Sequence, residues 1–127
     1  MKVFPSAVRT ASANGDFVLS RGFRGVLLRL DITAFTGTSL DIKLQGYDDT
    51  AGAYFDLTET SAAAPVVAFA TKAATGSDTL AVYPPALAFA QPATNKRWGA
   101  ALPRKLRAVA TFVGTTATYS LAAIPLE

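Results

Sequence analysis

The residue types that most often carry out catalysis are missing from this sequence, because its 127 residues include no histidine and no cysteine. Without histidine, the chain has no Ser-His-Asp triad, no imidazole general base and no imidazole metal ligand. Without cysteine, it has no thiolate nucleophile, no disulfide and no zinc–thiolate site. Carboxylates, hydroxyls and amines are what remains. We therefore predict that the protein is not an enzyme.

The remaining carboxylates and hydroxyls do not have the spacing of a known site. Asp48, Asp49 and Asp56 could supply oxygen ligands for Ca²⁺, but they lack the spacing of a calcium-binding loop. The Asp-Asp-Thr-Ala-Gly run that begins at Asp48 is typical of a hairpin turn. A Ser39–Lys43 nucleophilic pair would need a desolvated lysine, whereas Lys43 is expected on a solvent-facing strand position. We expect no catalytic, metal or cofactor site.

The residues that most suggest a function are basic and aromatic. Lys96-Arg97-Trp98 contains the only tryptophan, and tryptophan and arginine are enriched among the residues that dominate binding energy at interfaces. The alternative is that Trp98 fills the end of its own domain while the cations are solvated. With the cations of the other basic segments, the predicted interface residues are Arg21, Arg24, Lys96, Arg97, Trp98, Arg104 and Arg107.

Charge is sparse and is sorted along the chain. Charged residues make up 17% of the sequence, against about 25% in typical globular proteins. Residues 1–30 carry a net charge of +4, residues 31–78 carry −5, and residues 79–126 carry +5. Such blocks suit complementary faces within a fold or between subunits, or they are simply solvated. Nucleic-acid-binding proteins are more often basic overall, so we expect no direct contact with nucleic acid.

The hydropathy of the chain is high for a protein without a membrane span. Hydrophobic residues make up 50% of it, and the mean hydropathy is +0.29. Core-like interfaces of a homo-oligomer would explain this value, and so would a richness in alanine. The longest apolar run, residues 62–70, contains Pro65 and is far shorter than the roughly 20 residues of a spanning helix. The first residues lack the apolar core of a signal peptide. We expect neither membrane association nor export by a standard signal.

The elements that position these residues are predicted to be β-strands, because apolar and polar residues alternate along much of the chain. In residues 23–33 the even-numbered positions from Val26 onward are apolar, and residues 40–46 continue the same alternation. The turn-forming run Thr36–Ser39 lies between these two segments. The pattern predicts an antiparallel hairpin with one polar face.

The last quarter of the chain has a second hairpin pattern. Residues 104–113 and 116–124 alternate in the same way on either side of Gly114-Thr115. Shorter strands are predicted at 54–57, 65–70 and 79–83. The prediction is therefore an all-β fold of about eight short antiparallel strands, arranged as a β-sandwich or a jelly roll.

Two segments interrupt this pattern. Residues 1–16 are mixed in character and end in Asn14-Gly15-Asp16, a turn signal, so we assign them to an N-terminal arm and residues 17–127 to a single domain. Residues 84–103 contain four prolines and predict a long loop. Loops of this length in compact domains are usually functional or disordered.

Two stretches resemble a known class of proteins. The first comprises residues 22–34 and 37–48, GFRGVLLRLDITA and GTSLDIKLQGYD. The second begins with LPRKLRAVA at residues 102–110 and continues through the Gly114-Thr115-Thr116 turn to Tyr119-Ser120-Leu121. Together they are similar to small β-rich virion proteins of tailed bacteriophages.

The resemblance implies a structural role rather than a catalytic one. It implies a capsid cement or decoration protein, a homo-oligomer with a trimer favoured, whose partner is the major capsid protein. Its place would be the virion, assembled in the cytoplasm of a bacterial host. The arm and the 84–103 loop would supply contacts. A neck, tail or fibre component is the alternative within the virion. Another is a carbohydrate-binding β-sandwich module, in which Trp98 stacks on a sugar together with Tyr47 or Tyr54.

Overall fold

The computed structural model describes residues 1–19, 25–58, 66–83, 96–99 and 103–126, which form seven β-strands and no helix. The strands are β1 (Lys2–Arg9), β2 (Ala13–Val18), β3 (Gly25–Asp48), β4 (Ala53–Asp56), β5 (Gly76–Tyr83), β6 (Lys96–Gly99) and β7 (Lys105–Leu126). The predicted all-β class is confirmed. Within these described ranges, no helix is long and apolar enough to cross a membrane.

The sheet is organised around β3 and β7, which pair antiparallel from Gly25↔Leu126 to Gly46↔Leu106. The other strands flank this pair in two halves. In the first half, β1 lies beside β7, β5 lies beside β3, and β6 is added parallel to β5. In the second half, β2 lies beside β7 and β4 lies beside β3. Every described strand therefore depends, directly or through β5, on the β3–β7 pair.

The two halves of the sheet meet where Gly37 pairs with Gly114. The register shifts three times between Ile32 and Ser39, and such irregularities bend a strand. The buried side chains of both halves form one hydrophobic cluster. At one edge of this cluster Val3 of β1 lies so close to β2 that a Cβ atom at Gly15 would come within 2.7 Å of the Val3 Cγ1 atom.

The core consists of the side chains that the alternation predicts to share one face. Burial of this face removes apolar area from water, worth about 25 cal/mol per Å², and fixes which side of each strand points inward. The confirmed core positions on β3 and β7 are Val26, Leu28, Leu30, Ile32, Leu40, Ile42, Leu44, Leu106, Ala108, Ala110, Phe112, Ala117, Tyr119 and Leu121.

Both predicted hairpins are wrong, although the alternation within them is right. The chain does not reverse at Thr36–Ser39 or at Gly114-Thr115, because β3 continues for 24 residues and β7 for 22. A glycine permits the close crossing of two bent strands as readily as a tight turn. The pairing partner that decides between these outcomes lies far away in the sequence. The prediction of about eight short antiparallel strands therefore fails on strand length and on β6, which is parallel to β5.

The two segments that interrupt the sequence pattern contain strands. Residues 1–16, assigned to an N-terminal arm, carry β1 and the first part of β2, both paired with β7. The turn predicted at Asn14-Gly15-Asp16 is wrong because these residues lie in β2. In the predicted loop, residues 96–99 form β6, whereas residues 84–95 and 100–102 lie outside the described residues.

The predicted turn that begins at Asp48 is confirmed. The Gly52 N–H donates to the Asp48 carbonyl at 2.8 Å, and Gly52 has a φ of 67°, where a side chain would be strained. Asp48 Oδ1 accepts hydrogen bonds from the N–H groups of Thr50 and Ala51 at 2.9 and 3.2 Å. The turn sets the register of β3 and β4.

Candidate interaction surface

The outer face of the second half of the sheet carries the polar side chains that alternate with the core. Its side chains form two rows across β4, β3, β7 and β2. The first row contains Asp56, Gln45, Arg107 and Asp16. The second row contains Tyr54, Tyr47, Lys105 and Val18. Side chains opposite one another on the same sheet face are close enough to interact.

Gln45 links an acidic strand to a basic one. Its Nε2 donates to Asp56 Oδ1 at 2.8 Å, and its Oε1 accepts from Arg107 Nε and Nη2 at 2.9 and 2.6 Å. Lys43 Nζ lies 2.9 Å from the same Asp56 oxygen. The hydrogen bond from Gln45, followed by that from Lys43, lowers the pKa of Asp56. The carboxylate is therefore charged at neutral pH, and the Arg107 guanidinium is held in place.

Two tyrosines and two cations stack beside this link. Tyr47 and Tyr54 form an edge-to-face pair with ring centroids 5.1 Å apart. The Arg107 guanidinium carbon lies 3.9 Å from the Tyr54 ring centroid, and Lys105 Nζ lies 4.4 Å from that of Tyr47. The negative face of an aromatic ring attracts a cation at these distances. The contacts hold long cationic side chains in fixed positions on the sheet.

We call this group the cation–tyrosine surface. Its members are Lys43, Gln45, Tyr47, Tyr54, Asp56, Lys105 and Arg107. It carries three cations and one carboxylate, and Asp16 at the end of the first row brings the net charge of this face to +1, which still favours an acidic partner. Arginine and tyrosine are also the side chains that most often dominate protein–protein binding energy.

The structure places only part of the predicted interface set on this surface. Arg107 is a member of it. Arg104 precedes β7 and is exposed; its carbonyl accepts from the Leu19 N–H at 2.8 Å, and its Nε lies 3.5 Å from the Leu19 carbonyl oxygen. Lys96-Arg97-Trp98 lies on β6, whose backbone pairs with β5 in the first half of the sheet. The side chains of that triplet, and the whole of Arg21 and Arg24, lie outside the described residues.

Sequence reasoning missed Gln45 and the position of Lys105 beside the two tyrosine rings. The turn at Asp48 offered a signal for the first of these, because folding the chain there places Gln45 opposite Asp56 and Tyr47 opposite Tyr54. No local signal could bring Lys105 and Arg107 to this group, because that depends on the long-range register of β7. The proposed sugar platform is divided: Tyr47 and Tyr54 are neighbours, whereas the Trp98 backbone pairs with Val82 in the other half of the sheet.

A concave site lies at the first half of the sheet. A cavity of about 230 Å³ is bounded by Leu30 and Ile32 on β3 and by residues 71–78. Lys72 Nζ lies 2.5 Å from Asp78 Oδ2, and Asp78 is buried. The ion pair connects the segment before β5 to the sheet. Among the described ranges, no group of three or more potential metal ligands comes together.

The comparisons with known proteins include a slight structural likeness. No family model and no curated protein matches the sequence. Among solved structures, the fold is similar to that of the SPBc2 prophage-derived protein YomS, with a TM-score of 0.49 and 16% sequence identity. The match covers 98% of this chain and 89% of that chain. A likeness of this size supports no statement about function.

Proposed function

We propose that this chain is a structural protein of a tailed-bacteriophage particle that binds the major capsid protein and decorates the head. The resemblance of residues 22–48 and 102–121 to small virion proteins supports this function. So does the low charge of the sequence, which is compatible with broad protein–protein contact. The proposed location is the virion, and the proposed assembly state is a homo-oligomer, most simply a trimer.

The cation–tyrosine surface is the observation that carries the proposal. Gln45 and the two tyrosine rings already hold Arg107 and Lys105 in place, so binding would cost little further side-chain entropy. The surface is a face of regular sheet rather than a cleft around a reactive group. The capsid surface that fits it is acidic.

Binding to empty capsids that lack this chain tests the proposal. We expect Arg107→Ala and Tyr54→Ala each to weaken binding about tenfold or more, because each removes one partner of the stacked pair. Added salt should weaken binding of the native protein. The matched control is Arg29→Ala, which removes an exposed cation that pairs with Asp31 on the other half of the sheet. Capsids that bind no chain, or that bind the Arg107, Tyr54 and Arg29 variants equally well, would overturn the proposal.

The same particles distinguish head from neck or tail. A decoration protein would be present in hundreds of copies, whereas a neck, tail or fibre component would be present in tens or fewer. Sedimentation of the free protein measures its oligomeric state.

A carbohydrate-binding module is the alternative from a different class. Stacking on a sugar needs an open aromatic face, and a cation covers one face of Tyr47 and of Tyr54. This geometry favours a protein partner over a sugar. Glycan-array binding that is lost in both Trp98→Ala and Tyr54→Ala would support the alternative instead.

A further inference from the structure

The exposed edge of β2 has the properties of a strand-addition site. We infer that β2 accepts an extended segment of a partner protein as a new antiparallel strand, with a cation opposite Asp16 and an apolar residue opposite Val18. Strand addition at this backbone edge does not require the partner to be a capsid protein.

The hydrogen-bonding groups of β2 that face outward follow from its register. The Leu19 N–H donates to the Arg104 carbonyl at 2.8 Å, and the β2–β7 register continues without a shift from Val18↔Lys105 to Ala13↔Ala110. Antiparallel strands alternate between residues that bond to the partner and residues that bond away from it. The odd-numbered residues therefore bond to β7. The N–H and C=O groups of Asn14, Asp16 and Val18 point to the open edge, and all three residues are exposed.

Other described edge strands are shorter or guarded. β1 lies on the same side of β7, but it contains Pro5 and two register shifts, and Lys2 and Arg9 stand near its ends. Proline, bulges and charged residues are the means by which proteins prevent strand addition. β4 and β6 have four residues each. β2 has six residues, no proline and an unbroken register.

An added strand would extend the two rows of the outer face beyond β2. The residues at which the rows end, Asp16 and Val18, therefore determine which side chains the added strand should have. A fifth residue in the first row would stand opposite Asp16, which favours a lysine or arginine. A fifth residue in the second row would stand opposite Val18, which is 51% exposed and favours an apolar side chain. Two-fold pairing of β2 with a second copy about Asp16 would place two aspartates opposite each other, and like charges in that position are destabilising. The charge of Asp16 instead favours as occupant a partner segment of different sequence, with a cation at that position.

The test uses the full-length protein and the peptide acetyl-Thr-Val-Thr-Lys-Thr-Thr-amide, which places its valine opposite Val18 and its lysine opposite Asp16. The measurement is the amide NMR spectrum during titration. We expect shifts and slower hydrogen exchange at Asn14, Asp16 and Val18. A peptide N-methylated at its valine and lysine lacks two donors and should bind about tenfold or more weakly, at roughly fivefold per lost hydrogen bond. A lysine-to-glutamate peptide should also bind more weakly.

Variants at Asp16 distinguish the contribution of its backbone N–H group to peptide binding from that of its side chain. Asp16→Pro removes one outward N–H group without removing a bond to β7, and should weaken peptide binding about fivefold. Asp16→Asn keeps the N–H group and should retain more of the binding. If Asp16→Pro fails to fold, the binding of the N-methylated peptide to the native protein still tests whether backbone hydrogen bonds form at this edge. Absence of shifts at β2, equal binding of the N-methylated peptide, or pairing of β2 with a second copy in the peptide-free protein would each overturn the inference.

Discussion

Tyr119 has opposite effects on the stability of the core through its ring and through its hydroxyl. It is fully buried and packs edge-to-face on Phe4, and the Arg9 guanidinium lies about 5 Å from both rings. Its hydroxyl is buried without a hydrogen-bond partner in the described part of the chain. Burial raises the pKa of Tyr119, and the charge of Arg9 partly opposes that rise. The ring stabilises the core, whereas the hydroxyl costs stability.

Tyr119→Phe should therefore stabilise the protein at neutral pH by about 1 kcal/mol, because a buried unpaired hydroxyl costs about that much or more. The measurement is the midpoint of urea unfolding. A loss of stability in this variant would show that the hydroxyl has a partner.

The raised pKa of Tyr119 also predicts a pH dependence with a definite sign. Its contribution is fully present below the unfolded-state pKa of about 10 and is lost as the pH rises towards the folded-state pKa. The stability difference between the native protein and Tyr119→Phe should therefore widen in favour of the variant between pH 9 and about pH 11. A constant difference would contradict the pKa shift.

At the scale of elements, the bend in β3 and β7 depends on two glycines that face each other. A Cβ atom at Gly114 would lie 2.9 Å from Phe112 Cζ and 3.0 Å from the Thr36 carbonyl oxygen, and would collide with the Gly37 Cα atom. A Cβ at Gly37 would lie 2.8 Å from the Gly114 Cα atom. Backbone atoms cannot move aside as the end of a flexible side chain can. The crossing of the two long strands therefore requires glycine.

Gly114→Ala should destabilise the protein by roughly 2 kcal/mol, the cost of overpacking a tight contact. The matched control is Gly76→Ala, because Gly76 has a φ of 151°, close to the 157° of Gly114, but no atom within 4 Å of its Cβ position. Thermal unfolding of both variants measures their losses of stability. The difference between the two losses is the cost of the close contact at Gly114, because both positions have a similar φ. Equal losses would mean that φ, not the contact, accounts for the cost.

Over the whole molecule, both halves of the sheet share β3, β7 and one core. Neither half can separate from the other without breaking both long strands. The structure also mixes charges that the sequence keeps apart: Arg107 of the last basic block and Asp56 of the acidic block both bond to Gln45. Gln45 therefore bridges the two blocks without a direct ion pair between Arg107 and Asp56, and complementary faces within the fold or between subunits stay a prediction.

The shared strands predict that the two halves unfold together. The amides of Leu28 in the first half and Leu44 in the second should exchange with solvent hydrogens at the same free energy of opening, equal to that of global unfolding. Native-state hydrogen exchange under increasing urea measures both. A difference greater than about 1 kcal/mol would show that the halves open separately.

The all-β class, the inward face of β3 and β7, and the turn at Asp48 can be predicted from sequence, because alternation and turn chemistry act between residues close in the chain. The sequence also contains the signal that places Tyr47 opposite Tyr54. Two features could not be predicted in this way: Gly37 and Gly114 form a crossing rather than two hairpins, and Arg107 and Lys105 lie beside those tyrosines. Both features depend on how β3 and β7 pair. The free energy of that pairing comes from contacts between residues far apart in the sequence, so neither strand predicts it alone.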